Sequence, residues 1–196
     1  INMALPVFFS PSDFDINRRV YDVMLKDPAV LNDIERYNVK MIMPVSVESK
    51  DIASVRPIKT IDDMKGLKIA TIGAYLPKAM EAVKAVPVNV PAAARYQALQ
   101  TGVVEASALG IGSTFGYKFH EVAKHVTLVG TGAEIVGMFV INRDAWNKLS
   151  PDVQKIMTDT AEEAKLYNVK ALSDFIAAGV KGVTDAGGSI YELPFA

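Results

Sequence analysis

The chain of 196 residues contains no cysteine, which excludes disulfides, thiolate metal sites and cysteine nucleophiles together. Histidine is almost as scarce, with two in all, His120 and His125. On one helix these would point about 140° apart, at 100° per residue, and could not share a metal on one face. Neither sign of charge is in excess, since 21 Lys and Arg stand against 22 Asp and Glu. A nucleic-acid footprint and a polybasic membrane anchor are therefore not expected. No apolar run approaches the roughly 18–20 residues of a membrane span. A GxSxG elbow and a glycine-rich loop followed by GK[ST] are also missing, and no nucleophile, base and orienting group fall into a catalytic pattern. We therefore expect no enzyme, no catalytic residue, no metal and no cofactor. The chain begins INMALPVFF, without a leading methionine or basic leader, and we read it as starting inside a longer protein.

What is present is an ordinary globular composition, 50% hydrophobic and 22% charged, enough for one large domain or two small ones. Strand and helix patterns alternate, which argues for an α/β fold. Phe14, Val20, Tyr21, Met24 and Leu25 recur at helical spacing, and Pro28 starts a second helical piece that Asn38 ends. VKMIMPVSV (39–47) reads as a strand bent at Pro44. Thr60 and Asp63 have the spacing of a capping box, and Gly66 stops the short helix they open. Leu67, Ile69 and Ile72 then form an apolar strand that Gly73 ends. LPKAMEAVKAV is helical, with Pro77 in its first turn. PAAARYQALQTG is helical again, with Tyr96 and Leu99 inward and Gly102 as its stop. VVEASALG is a short strand, YKFHEVAKH a helix, and VTLVGT and EIVGMFVIN are strands. From Ser150 a helix of about eight turns runs to Gly187 and Gly188, and SIYELPFA is a last strand.

Two stretches invite a binding role. Ligands of open α/β sheets lie beyond the carboxyl ends of strands, which is where Ala70–Tyr75 should fall. GIGSTFG (110–116), with Glu134 about twenty residues further on, approaches a dinucleotide-binding fingerprint. Its third glycine comes one position late and the strand before it is weakly apolar, so a nicotinamide-dependent oxidoreductase is the lesser alternative. Arg56 lies between Val55 and Pro57 in an extended segment. Its guanidinium either snorkels to water or forms a bidentate clamp on a carboxylate.

RPIKTIDDMKGLKI, RYQALQTGVVEAS, FHEVAKHVTLVGT and FVINRDAWNKLSPDVQKIM, followed by a long helix, resemble the solute-binding proteins of TRAP (tripartite ATP-independent periplasmic) transporters. ALPVFFSPSDF resembles that family's LP-aromatic segment, and the matches run in order through nearly the whole chain. The resemblance implies a two-lobed periplasmic-binding-protein-like α/β fold lacking N-terminal and C-terminal segments. Residues 1–45 would belong to lobe one and 46–130 to lobe two. Residues 131–148 would return through the hinge, 149–186 would form a long helix across both lobes, and 187–196 would begin a final segment. It also implies a monomeric periplasmic receptor that closes around a small organic acid and delivers it to membrane permease subunits.

In the family the position of Ala70 is usually an arginine clamp, that of Leu109 an asparagine and that of Ala92 an aromatic, while Arg56 matches a hinge-strand arginine. The implied ligand site is Arg56, Ala70, Gly73, Tyr75, Ala92, Leu109 and Glu134, with three customary contacts reduced to small or apolar side chains. Either the acid is held elsewhere, by Arg56 or Arg95, or the ligand is larger, more apolar or uncharged, with Tyr75 as a stacking wall. A further alternative is an interaction module on the same fold.

Overall fold

The computed structural model describes residues 19, 23, 26–129 and 134–193. The helix expected on the spacing of Phe14, Val20, Tyr21, Met24 and Leu25 lies almost wholly outside the described residues, and the ALPVFFSPSDF segment entirely so. The chain divides into two units, residues 1–47 with 131–174 and residues 48–130 with 175–196.

In the first unit, Asp27 caps helix α1 (Pro28–Glu35) by accepting the Ala29 N–H at 2.8 Å, and proline enters at the first turn, where its missing N–H costs nothing. Asn38, at φ 53°, turns the chain after α1. Strand β1 (Val39–Val47) then pairs antiparallel with β7 (Glu134–Asn142). Pro44 cannot donate to the ladder, and the pairing slips between Met41 and Met43 and again between Val45 and Ser46. The expected bend at Pro44 is thus a pair of register shifts on either side of it. Helix α5 (Arg143–Asn147) is capped by Asn142, whose side-chain oxygen accepts the Asp144 and Ala145 N–H groups at 3.0 and 3.1 Å. Helix α6 (Pro151–Asp185) has 35 residues, of which those through Asp174 belong to this unit and those from Phe175 to the second, and Ser150 caps it through the Val153 N–H. Within this unit the Asn168 amide accepts the Ser46 N–H at 2.9 Å and donates to the Ser46 carbonyl at 3.3 Å, as a neighbouring strand would. Not every apolar position of α6 is covered. Ala161 and Val183 are buried, whereas Val153, Phe175 and Ile156 are exposed, the last at 64%, because the helix carries more apolar side chains than one face can hide.

The second unit is a six-stranded sheet of order β4–β3–β5–β2–β6–β8. Its strands are β2 (Ile52–Ser54), β3 (Lys68–Thr71), β4 (Val86–Asn89), β5 (Ala106–Ala108), β6 (His125–Leu128) and β8 (Ser189–Glu192). β3 is parallel to β4 and β5, while β2 runs antiparallel to β5 and β6. The Thr60–Asp63 capping box is formed in full and opens the 3₁₀ turn Ile61–Met64, which Gly66 closes at φ 72°. β3 ends one residue sooner than its apolar pattern predicts, so Ile72 lies past it and is 52% exposed. Helix α2 (Leu76–Ala82) follows, with Pro77 in its first turn. Helix α3 (Arg95–Gln100) is preceded by the 3₁₀ turn Ala92–Ala94.

The helix expected over YKFHEVAKH is only the 3₁₀ turn Phe119–Glu121, because Lys118 adopts a left-handed φ of 60° and separates it from helix α4 (Ile111–Gly116). His125 begins β6, so the two histidines do not share a helix. Among the described residues no group of three or more side chains could hold a metal ion, and no helix is long and apolar enough to cross a membrane. Two apolar layers flank the sheet. Met80 and Ile69 lie in one, and Leu99, Ala70, Phe119 and Val183 in the other.

Candidate functional site

Parallel β3, β4 and β5 end together, at Thr71, Asn89 and Ala108. Five residues of the implied site follow or close these strands: Ala70, Gly73 and Tyr75 on β3 and its exit, Ala92 after β4, and Leu109 after β5. Gly73 holds φ 83° with open space where a Cβ would stand, and Tyr75 is 57% exposed. Leu109 is partly buried against the core. Ala70 is fully buried, packs in the apolar layer with Leu99, and has Ser107 of β5 as its register partner. Its methyl group presents no surface to a ligand.

Arg56 belongs to the other end of the sheet. Because β2 runs antiparallel to β5, the chain leaving Ser54 passes the amino end of β5, where the Val55 N–H meets the Glu105 carbonyl at 3.0 Å. There the Arg56 Nη2 donates to the Asp63 carbonyl at 2.8 Å, and its Nε stands 3.9 Å from a Glu105 carboxylate oxygen. Arg56 fixes the capping-box turn, away from the carboxyl ends of β3–β5. Glu134 starts β7 in the other unit, and its side chain lies outside the described residues.

Arg95 is a charged group tied to these carboxyl ends. Its side chain is fully buried. Nε donates to the Val90 carbonyl at 2.9 Å, and Nη1 donates to the Ala108 carbonyl at 2.9 Å and the Ser107 hydroxyl at 3.2 Å. Nη2 is buried with no hydrogen-bond partner among the described residues, as is the hydroxyl of Thr71 at the end of β3. The two are joined through the backbone, for the Val90 N–H donates to the Thr71 carbonyl at 3.3 Å. Burial depresses the Arg95 pKa, and the nearby Tyr117 opposes that only partly. An unmet buried donor costs about 1–3 kcal/mol, and more when it is charged. Arg95 is one of the two arginines that the resemblance leaves as alternative holders of an acid, although nothing in the sequence marks it as buried.

GIGSTFG is not a phosphate cradle. It forms α4, and the N–H groups of its first turn are already taken by carboxylates of the same unit. Asp51 accepts from Ile111 at 3.1 Å, and Glu48 accepts from Gly112 at 2.9 Å and Ser113 at 3.0 Å. A Cβ on Gly110 would lie 2.1 Å from Glu48 Cδ, and one on Gly112 would lie 2.5 Å from the Phe175 ring. The glycines make room for the chain's own side chains, and two buried acids there repel a diphosphate, which overturns the nicotinamide reading. Desolvation, and secondarily the charge of Glu48, push the Asp51 pKa up to about 7 against the Ile111 hydrogen bond.

Residues 2–195 match the family described as bacterial extracellular solute-binding protein, family 7. The chain is 28% identical over 155 residues to a solute-binding protein of Sulfitobacter sp. (strain NAS-14.1), covering 79% of this chain and 47% of that protein. It is 31% identical over 140 residues to the 2,3-diketo-L-gulonate-binding periplasmic protein of Escherichia coli (strain K12), covering 70% of this chain and 42% of that protein. The chain therefore spans under half the length of both. Its structure is similar to that of an extracytoplasmic solute receptor of Bordetella pertussis binding pyroglutamic acid, with a TM-score of 0.84 at 17% identity, over 96% of this chain and 62% of that one. At that identity the likeness speaks for the fold, which is the α/β fold of the TRAP periplasmic solute-binding proteins.

Proposed function

This chain belongs to family 7 of the bacterial extracellular solute-binding proteins, and from that premise we propose that it is the ligand-recognising part of a periplasmic receptor for a small organic acid. The receptor delivers its ligand to the permease subunits of a TRAP transporter, acts as a monomer, and performs no chemistry on what it carries. The observation that carries this reading is the placing of Gly73, Tyr75, Ala92 and Leu109 past the carboxyl ends of three parallel strands. Small and apolar side chains leave room there for the body of a small molecule, at the edge where α/β sheets take ligands. The relatives support an acid, since one is named for 2,3-diketo-L-gulonate and another carries pyroglutamic acid. The acid pocket would be atypical, because the residue at the centre of β3 is an alanine.

The test is a thermal-shift screen of the whole protein against D-glucuronate, D-galacturonate, pyroglutamate, orotate, D-glucose and NAD. A ligand at 100 times its dissociation constant stabilises by about 2.7 kcal/mol. Stabilisation by an acid without turnover supports the receptor. Stabilisation by NAD alone, or by nothing, overturns it, and the second result favours an interaction module.

A further inference from the structure

The chain passes between its two units three times, after residues 47, 130 and 174, and in the second unit the residues beside these crossings meet. Glu48, the first past the first crossing, accepts the Gly112 and Ser113 N–H groups through its carboxylate at 2.9 and 3.0 Å. Val129, shortly before the second, donates its N–H to the Asp51 carboxylate. Phe175, the first past the third, fills the space a Cβ on Gly112 would take. In hinged receptors a few residues at element ends absorb the motion, and here those ends are fastened to Asp51 and to the first turn of α4.

Asp51 also supports the carboxyl edge of the sheet. Its carbonyl accepts the Leu109 N–H at 3.0 Å and its carboxylate the Ile111 N–H at 3.1 Å, so one residue brackets Leu109 and Gly110 at the exit of β5. Around the carboxylate stand the Ile111 N–H of α4, the Val129 N–H beyond β6, the Ser49 hydroxyl at 3.4 Å and the charge of Glu48. Both acids are buried, so water screens their repulsion poorly. Burial, with the charge of Glu48, brings the Asp51 pKa to about 7. Protonated, Asp51 leaves Glu48 as the one buried charge at the start of α4. Ionised, it sets a second negative charge on a neighbouring N–H, and a shift of residues 48–51 away from α4 relieves both desolvation and repulsion. Leu109, bonded to the Asp51 backbone, moves with that shift.

We propose that Asp51 is a positioning residue of the solute site, holding Leu109 in place when protonated and loosening it when ionised, so that the receptor binds its ligand more tightly in acid than in alkaline medium. This rests on the receptor reading above. A purely structural Asp51 would change stability with pH but leave the dissociation constant of the folded protein flat.

The experiment is calorimetric titration of the whole protein with D-glucuronate, D-galacturonate, pyroglutamate and D-glucose, from about pH 5.5 to 8.5 at fixed ionic strength, where the ligand carboxylates stay ionised. The expected result is that one of them binds the wild type and that its affinity falls ~3–10-fold across the range. A ten-fold fall is what a difference of about one in the Asp51 pKa between bound and free protein gives. Asp51→Asn keeps an acceptor for the Ile111 N–H and never ionises, so its affinity should stay flat within about two-fold. His120 and His125 titrate over the same range but remain in the variant, so the difference between the two profiles belongs to Asp51. If Asp51→Asn does not fold, Glu48→Gln decides, because removing the repelling charge should shrink the fall. A wild-type affinity that is flat or rises with pH, or a fall that persists in the folded variant, overturns the positioning role and leaves the receptor standing. A wild type that binds none of the four overturns the receptor reading as well.

Discussion

Replacing Asp51 by asparagine should remove a pH dependence that runs opposite to the one most buried, hydrogen-bonded carboxylates impose. Burial raises the Asp51 pKa from an ordinary 3.8 to about 7, so between those values the folded protein holds a proton that the unfolded chain has released. The Asp51 contribution to stability is then greatest below about pH 4 and is lost as pH rises through 7, where the folded state must carry two carboxylates, Glu48 and Asp51, against the start of α4. At 1.36 kcal/mol per pKa unit the full difference is about 4 kcal/mol, an upper bound for one group. Asparagine keeps an acceptor for the Ile111 N–H and never ionises. Urea denaturation of wild type and Asp51→Asn from pH 4 to 8 at fixed ionic strength isolates the effect as the difference between the two curves. Wild type should lose stability relative to the variant as pH rises. A flat difference, or a wild type that gains relative to the variant, refutes the reasoning.

The remaining expectations concern packing and capping. Gly179→Ala should cost about 1–3 kcal/mol in denaturant melts although alanine favours helix by about 1 kcal/mol, because its Cβ would lie 2.7 Å from backbone atoms of Ile111 and Gly112. Thr60→Ala should cost about 1 kcal/mol in the same assay, as a lost N-cap. Arg56→Ala should lower stability by about 0.5–1.5 kcal/mol, through its bond to the Asp63 carbonyl, and leave the dissociation constant of any bound acid within about two-fold. A large loss of affinity in that variant would restore Arg56 as a ligand contact.

Local chemistry made much of the fold legible. The Thr60–Asp63 box, Gly66 at φ 72° and Gly102 at φ 73° are features in which the residue type alone dictates the backbone. α6 was legible by its length and by the Ser150–Pro151 start. β4 was not, since VPVN has too few residues to show a period, and it exists because β3 offers it a parallel partner. A helix was also misplaced, being expected over YKFHEVAKH and found over Ile111–Gly116. Lys118 adopts a left-handed φ that nothing in its side chain demands.

The site divides along the same line. Sequence order reveals which residues follow which strand, and so Ala70, Gly73 and Tyr75 could be assigned to a strand exit. It does not reveal strand direction, which decides the end of the sheet at which Arg56 lies. An arginine just past a strand is near the ligand edge only if the strand runs parallel to its neighbours, and β2 runs against β5. Nor does sequence reveal burial of a polar side chain. Arg95 reads as an ordinary arginine on a short helix until its guanidinium is found at Ser107 and Ala108, with one nitrogen unmatched among the described residues. The loss of charge at Ala70 and the burial of charge at Arg95 then become one problem. Ser107 is the register partner of the first residue and a hydrogen-bond acceptor of the second, so restoring an arginine at position 70 while Arg95 remains would crowd two cations at the end of β5.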